Sequence, residues 1–222
     1  RAAPIWRAAL RSRCCLRARV CAYAANESTS PLRLGLVADV QYTERSSKLS
    51  AEGREQHFSE VPERLRAAVD AWLEMHANGE LTSVLNLGDT IEGSSEGAEA
   101  SAAELGLIAG EFDRLSSAGI RVFHVLGNHC LRHLPRAVVQ ERLRMPSAYY
   151  AVSPAPGWRL IVLDTCELSG IGGGGGFSGW ESANPLVREA EELAERLEQA
   201  GEVTALQPWN GGVGRAQLAW AA

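Results

Sequence analysis

Leu32-Arg33-Leu34-Gly35-Leu36-Val37-Ala38-Asp39 alternates, then runs apolar, and ends on an acid. That pattern reads as a buried β-strand whose carboxyl end presents a carboxylate. It returns as Ser83-Val84-Leu85-Asn86-Leu87-Gly88-Asp89, and again as Ile120-Arg121-Val122-Phe123-His124-Val125-Leu126 running into Gly127-Asn128-His129. Between the first two strands, Pro62 opens a segment with Leu65, Ala68, Val69, Trp72 and Leu73 at helical spacing. Proline suits a first helical turn, where its missing N–H costs nothing. Between the second and third, a helix is predicted near 100–117 with Leu105, Ile108, Phe112 and Leu115 on one face. Strands separated by helices predict βαβ units and a largely parallel sheet, hence an α/β fold.

Farther out, the signals change. The stretch 40–61 is polar. A helix is expected around 136–144, and Tyr149–Val152 with Arg159–Asp164 read as two more strands. Pro154, Pro156 and Gly157 between them favour a hairpin. Gly172–Gly176 reads as a surface loop, because no Lys-Ser/Thr follows to make it a phosphate cradle. Residues 185–200 form an acidic amphipathic helix with a solvated face, and a last helix starts near Gly214.

The 222 residues are 45% hydrophobic, enough for one large α/β domain. A net charge of −5 argues against a nucleic-acid binder, and no apolar run is long enough for a transmembrane helix, so neither partner is expected. The charge is uneven. Residues 1–30 hold Arg1, Arg7, Arg11, Arg13, Arg17 and Arg19 against Glu27 alone. This composition predicts a transit peptide, or else a disordered leader, with the folded domain at 31–222. A transit peptide would address a plastid or mitochondrion; without one, the cytoplasm is expected. Cys14, Cys15 and Cys21 fall in the leader, and Cys130 and Cys166 in the body, with no CxxC to suggest a zinc ribbon.

Ligands in open α/β sheets bind outside the carboxyl ends of the strands, so Asp39, Gln41, Asp89, Asn128 and His129 are expected to converge. Oxygen donors from Asp39, Gln41, Asp89 and Asn128 suit a hard or borderline divalent ion, with Asp89 placed to bridge two. Singly, each motif is as readily a turn. In the order D-x-Q, GD, GNH, each after a strand, they are much less so.

This ordered set resembles the calcineurin-like metallophosphoesterase family, and most of all its manganese-dependent ADP-ribose/CDP-alcohol diphosphatase branch, which has Gln where most relatives have His. The resemblance rests on Ala38-Asp39-Val40-Gln41-Tyr42, on Leu87-Gly88-Asp89-Thr90-Ile91-Glu92-Gly93 and on Leu126-Gly127-Asn128-His129. Tyr149-Tyr150, Leu163-Asp164, Leu168-Ser169, Trp209-Asn210-Gly211-Gly212 and Gln217-Leu218-Ala219-Trp220 extend it. It implies a four-layer αββα sandwich, incomplete at its carboxyl end, with about the first two-thirds of the domain in 31–222. It implies two divalent metal ions, manganese first, with magnesium, iron(II) or zinc as alternatives. Asp39 and Gln41 would hold one, Asn128 the other, and Asp89 both.

His129 would be catalytic, stabilising the transferring phosphoryl group or protonating the departing oxygen. The implied reaction is cleavage of the diphosphate bond of small nucleoside diphosphate derivatives by two-metal activation of water. A phosphomonoesterase, a cyclic nucleotide phosphodiesterase or a non-catalytic remnant of the fold are the alternatives. Two departures bear on this. The family has an acid after GNH, to hold the imidazole, where Cys130 stands here. The histidines are His57, His76, His124, His129 and His133, so the family's later lone His and GHxH are missing, and weak metal binding with little turnover is expected of the chain as it stands.

Plainer roles are expected of the remainder. His124 reads as a core-edge residue, His76 as a helix-end charge, His57 as surface, and Trp72 and Trp220 as packing. His133 lies within reach of the site by spacing. Glu92 and Asp164 follow strands near the crevice, either bonded behind the site or exposed. Tyr42 and Phe177 are candidates to stack on a nucleobase.

Overall fold

The computed structural model describes residues 31–45, 48–49, 53, 55–93, 97–168, 183–202 and 210–222. The expected leader, the five-glycine run, Phe177 and Trp209 lie outside the described residues.

Strands β1 (Leu34–Val37), β4 (Ser83–Asn86) and β5 (Arg121–His124) form a parallel sheet in the order β1-β4-β5, with Val37, Asn86 and His124 level at its carboxyl edge. The crossovers are α1 (Val61–Ala77) and α2 (Ala98–Ser117). Pro62 lies in the first turn of α1, and the ring of His76 near its end donates from Nδ1 to the Leu81 carbonyl at 3.1 Å. Within the polar stretch, the strands β2 (Lys48–Leu49) and β3 (Glu55–Gln56) pair antiparallel.

The central strand β4 is buried throughout, and its alternation sorts the core. Val84 packs with Leu65, Val69, Ile108 and Phe112 on the helical face. Leu85 packs with Phe123, Leu126, Tyr150 and Val162 on the other. The last two belong to the antiparallel hairpin of β6 (Tyr150–Val152) and β7 (Leu160–Val162), where they face each other. The Tyr150 hydroxyl donates to the His124 carbonyl at 2.8 Å and accepts the His124 N–H at 3.0 Å, tying the hairpin to β5. A helical layer, a parallel sheet and a facing antiparallel pair thus follow in the sense expected of the αββα sandwich.

Helix α3 (Arg136–Arg142) follows the Gly127-Asn128-His129 turn. Helix α4 (Pro185–Gln199) is capped by Asn184, whose Oδ1 accepts the Leu186 N–H at 2.9 Å, and it packs Ala190, Leu186 and Leu193 on Leu168. Helix α5 (Arg215–Ala221) is held by polar groups. The buried Gln217 accepts the Asp164 N–H at 2.8 Å and donates to the Asp164 carbonyl at 3.1 Å and to Glu167 Oε2 at 2.7 Å. The buried Arg136 pairs with Asp164 and donates to the Cys166 carbonyl at 2.7 Å. Trp72 packs as expected, whereas Trp220 is 43% exposed, its ring 4.9 Å from that of Tyr149. No helix among the described residues is long and apolar enough to cross a membrane.

Arg136→Leu leaves the Asp164 carboxylate buried without its cation and should cost about 3–5 kcal/mol in urea unfolding. A cost below about 1 kcal/mol would show that the pair is not what holds this region. His124, whose Nδ1 accepts from Asn86 Nδ2 at 3.1 Å, is pushed down to about 4 by burial. Between that value and the ordinary 6.5, the unfolded chain binds a proton that the folded one refuses. Stability should therefore drop as pH falls through this window, by roughly 3 kcal/mol from this residue. In His124→Gln that part of the pH dependence should vanish, as read from urea midpoints at pH 7 and pH 4.5.

Candidate metal centre

The strands end before the acids. Sequence alternation carried them to Asp39, Asp89 and Leu126, but regular pairing stops at Val37, Asn86 and His124. The reason lies in the backbone: Asp39, Gln41 and Asp89 adopt φ of 53°, 45° and 47°, in the left-handed region. Non-glycine residues enter it at a cost of about 1–3 kcal/mol each and stay only where surrounding bonds over-determine them. Such bonds are present. Asp39 N–H donates to the Gly88 carbonyl at 3.3 Å, and Gln41 N–H to the Asp89 carbonyl at 2.8 Å. Glu92 N–H donates to the Tyr42 carbonyl at 2.9 Å, across an isolated bridge between Tyr42 and Ile91. The D-x-Q and GD segments therefore run side by side past the sheet edge.

The third motif joins them at Asp89, where the His129 N–H donates to Asp89 Oδ1 at 2.9 Å. Gly127 makes room for it. A Cβ there would lie 2.1 Å from Asp89 Oδ1 and 2.2 Å from its backbone nitrogen. Burial raises the Asp89 carboxyl above its ordinary range, against the lowering effect of the His129 N–H. A carboxylate stripped of water in this way gains from a cation. Asp39 is exposed, and Gln41, Asp89 and Asn128 are partly so, which leaves them accessible to a ligand.

Asp39, Gln41, Asp89, Asn128 and His129 thus lie on segments that leave three neighbouring strand ends, and those segments touch one another at Asp89. Among the described residues, no three His, Cys, Asp or Glu side chains gather into a metal-binding group. The charged candidates are Asp39 and Asp89, and Gln41 and Asn128 would bring amide oxygens. This set fits a hard cation such as manganese or magnesium better than a thiophilic one.

Behind His129 stands Glu92, 3% exposed, which settles its two readings in favour of the bonded one. His129 Nδ1 donates to the Glu92 carbonyl at 2.8 Å and lies 3.1 Å from its Oε2. Because a carbonyl only accepts, Nδ1 carries the proton, and Nε2 is the edge left for chemistry. Burial works against the imidazolium, but the Glu92 carboxylate and carbonyl outweigh it and hold the ring above its usual range. Glu92 thus fills the role left open by Cys130, whose thiol is turned into the core and pushed up to about 11 by burial. Asp164 is not exposed either, being buried against Arg136.

His133 and His57 are exposed, His57 lying 3.5 Å from Glu60, and Tyr42 is buried in the core and cannot stack on a base. Two residues that sequence reasoning did not single out stand next to the motifs. Glu104 of α2 accepts the Thr43 hydroxyl at 2.7 Å and the Glu44 N–H at 3.1 Å, pinning the chain just beyond Gln41. Arg132 lies beside His129, with its Nη2 3.5 Å from Nε2. The 3₁₀ turn Cys130–Arg132, in which residues three apart stand one above the other, is the signal that could have found it.

Gly127→Ala places its methyl against both Asp89 Oδ1 and N, so the GNH turn must shift. We expect a loss of about 3 kcal/mol or more in urea unfolding. A variant with wild-type stability and an unchanged His129 imidazole NMR signal would contradict this packing.

No family model matches the chain. A manganese-dependent ADP-ribose/CDP-alcohol diphosphatase of Arabidopsis thaliana is 33% identical over 193 residues, covering 84% of this chain and 60% of its own length. The protein of that name from Oryza sativa subsp. japonica is 29% identical over 208 residues, 87% of this chain and 60% of its own. The one from Homo sapiens is 29% identical over 210 residues, 84% and 59%. Among solved structures, a dimetal phosphatase from Danio rerio aligns with a TM-score of 0.67 at 25% identity, covering 86% of this chain and 64% of that one. The chain thus spans about 60% of the length of the curated relatives it matches. By sequence and by fold, it is similar to the manganese-dependent ADP-ribose/CDP-alcohol diphosphatases and to a dimetal phosphatase of metallophosphoesterase fold.

Proposed function

We propose that the chain carries the reactive face of a metal-dependent hydrolase that cleaves the diphosphate bond of nucleoside diphosphate derivatives such as ADP-ribose and CDP-alcohols. The observation that carries this reading is the joining of three strand ends through Asp89, with His129 oriented by Glu92 at the same point. The names of the relatives supply the substrate class, and their manganese dependence agrees with the oxygen donors of the crevice.

Asp39, Gln41, Asp89 and Asn128 would hold two divalent ions, with Asp89 shared. When bound, these would neutralise phosphate charge and supply a nucleophilic water near neutral pH. The chain's own residues do the rest. Asp89, stiffened by the His129 N–H, keeps its carboxylate at a set place. Glu92 keeps the proton on Nδ1 of His129, so that Nε2 faces the reacting phosphate and can donate once protonated. Water oxygen adds to one phosphorus, the bond from that phosphorus to the bridging oxygen breaks, and the bridging oxygen leaves on the other phosphate. Two phosphate monoesters result. Positioning and charge account for most of the gain in such chemistry, since phosphoryl transfer needs little covalent help from protein.

The test is turnover of ADP-ribose, CDP-choline and an aryl phosphate by the full-length protein with Mn²⁺. Diphosphates should be preferred, and His129→Ala should lower turnover by about 10²–10⁴-fold while leaving Mn²⁺ binding in place. Equal or faster hydrolysis of the aryl phosphate would count against the diphosphatase reading.

A further inference from the structure

We propose that the cavity between α2, α3 and β5 binds a phosphoryl group, with Arg142 and Arg144 at its mouth and His124 in its wall. The site shares no residue with the candidate metal centre and does not rest on the diphosphatase reading.

The cavity has a volume of about 40 Å³, room for about three water-sized atoms. His124, 5% exposed, is the buried donor in its wall. Asn86 Nδ2 can only donate, so its 3.1 Å bond to His124 Nδ1 makes Nδ1 the acceptor and leaves the proton on Nε2. That Nε2–H has no hydrogen-bond acceptor among the described residues. Phe112, also in the wall, stands at 84° to the imidazole with 5.1 Å between ring centres, and so fixes the ring.

The mouth is positive. Asp113 is one carboxylate between two guanidiniums: Arg142 Nη1 donates to its Oδ2 at 3.4 Å, and Arg144 Nη2 lies 3.0 Å from its Oδ1. Arg142 Nη2 donates to the Gly106 carbonyl at 2.7 Å, which anchors that side chain to α2. Each guanidinium has several N–H donors, so these acceptors leave part of the fork unused. The Arg144 side chain is 68% exposed and can be reached by a ligand. A guanidinium fork matches the oxygens of a phosphoryl group.

Arg144 also holds a backbone position that disfavours it. Helix α3 closes with bonds from Arg144 N–H to the Glu141 carbonyl at 3.1 Å and from Met145 N–H to the Gln140 carbonyl at 2.8 Å. This closure places Arg144 in the left-handed region, at φ 54°, where glycine is the usual residue. Arginine is less stable there than glycine, and what it adds is a guanidinium beside the cavity.

The test is a titration of the metal-free, full-length protein with inorganic phosphate near neutral pH, followed through the His124 imidazole NMR signal at constant ionic strength. Wild type should show a saturable shift in the millimolar range, and sodium chloride should produce none. Arg144→Gly removes the guanidinium and relieves the backbone. It should melt no lower than wild type, yet bind phosphate about tenfold or more weakly, as for a lost charged hydrogen bond. Arg144→Lys should keep part of the affinity. AMP titrated in parallel distinguishes the sources of the group: a His124 shift at lower AMP than phosphate assigns a phosphate monoester, and the reverse order assigns free phosphate. A His124 signal that does not move, that moves equally with chloride, or that shifts as much in Arg144→Gly would overturn the proposal. A lower melting temperature for Arg144→Gly would make the arginine a structural one and overturn it as well. Neither manganese nor turnover is read, so failure of the diphosphatase reading would leave this result unaffected.

Discussion

One hydrogen bond, from the His129 N–H to Asp89 Oδ1, decides the arrangement of the crevice. It links the ends of the central and outer strands, and it requires that nothing occupy the space at Gly127, where a Cβ would meet Asp89. Given that bond, Asp89 is fixed, the neighbouring D-x-Q segment is registered against it by backbone pairing, and the imidazole comes to lie over Glu92. The left-handed backbone at Asp39, Gln41 and Asp89 is tolerated because these bonds hold it. The strained residues are the candidate metal ligands.

The buried carboxylates divide the labour. Glu92 faces the crevice from behind and orients His129. Glu104 fastens the segment after Gln41 to α2. Asp164, with Arg136, fastens the start of α3 to the turn after β7, and Gln217 with Glu167 brings α5 to that turn. Each accepts hydrogen bonds from a distant segment, which lowers the cost of burying charge. The polar groups therefore join layers that the apolar core alone would leave free to slide.

Likeness to longer enzymes and the local geometry bear on different questions. The names of the relatives give the class of substrate that those proteins act on, while Asp89, Glu92 and His129 give the local geometry on which the proposed chemistry rests. Arg132 belongs to neither the motif nor the fold. It stands beside His129 because a short turn carries it back over the imidazole.

Much was legible from order and spacing alone. Apolar alternation followed by an acid located β1 and β4, helical spacing located α1 and α2, and their succession entailed the parallel sheet, because such patterns are local and periodic. The ligand candidates followed, since strand ends in a parallel sheet converge. What spacing could not decide was long-range: that pairing stops short of the acids, that Glu92 rather than the residue after GNH holds the imidazole, and that Glu104 reaches Thr43 from 61 residues away. Those depend on which side chains meet once the layers pack. A buried glutamate and an exposed one look the same in sequence, and only tertiary contact distinguishes them.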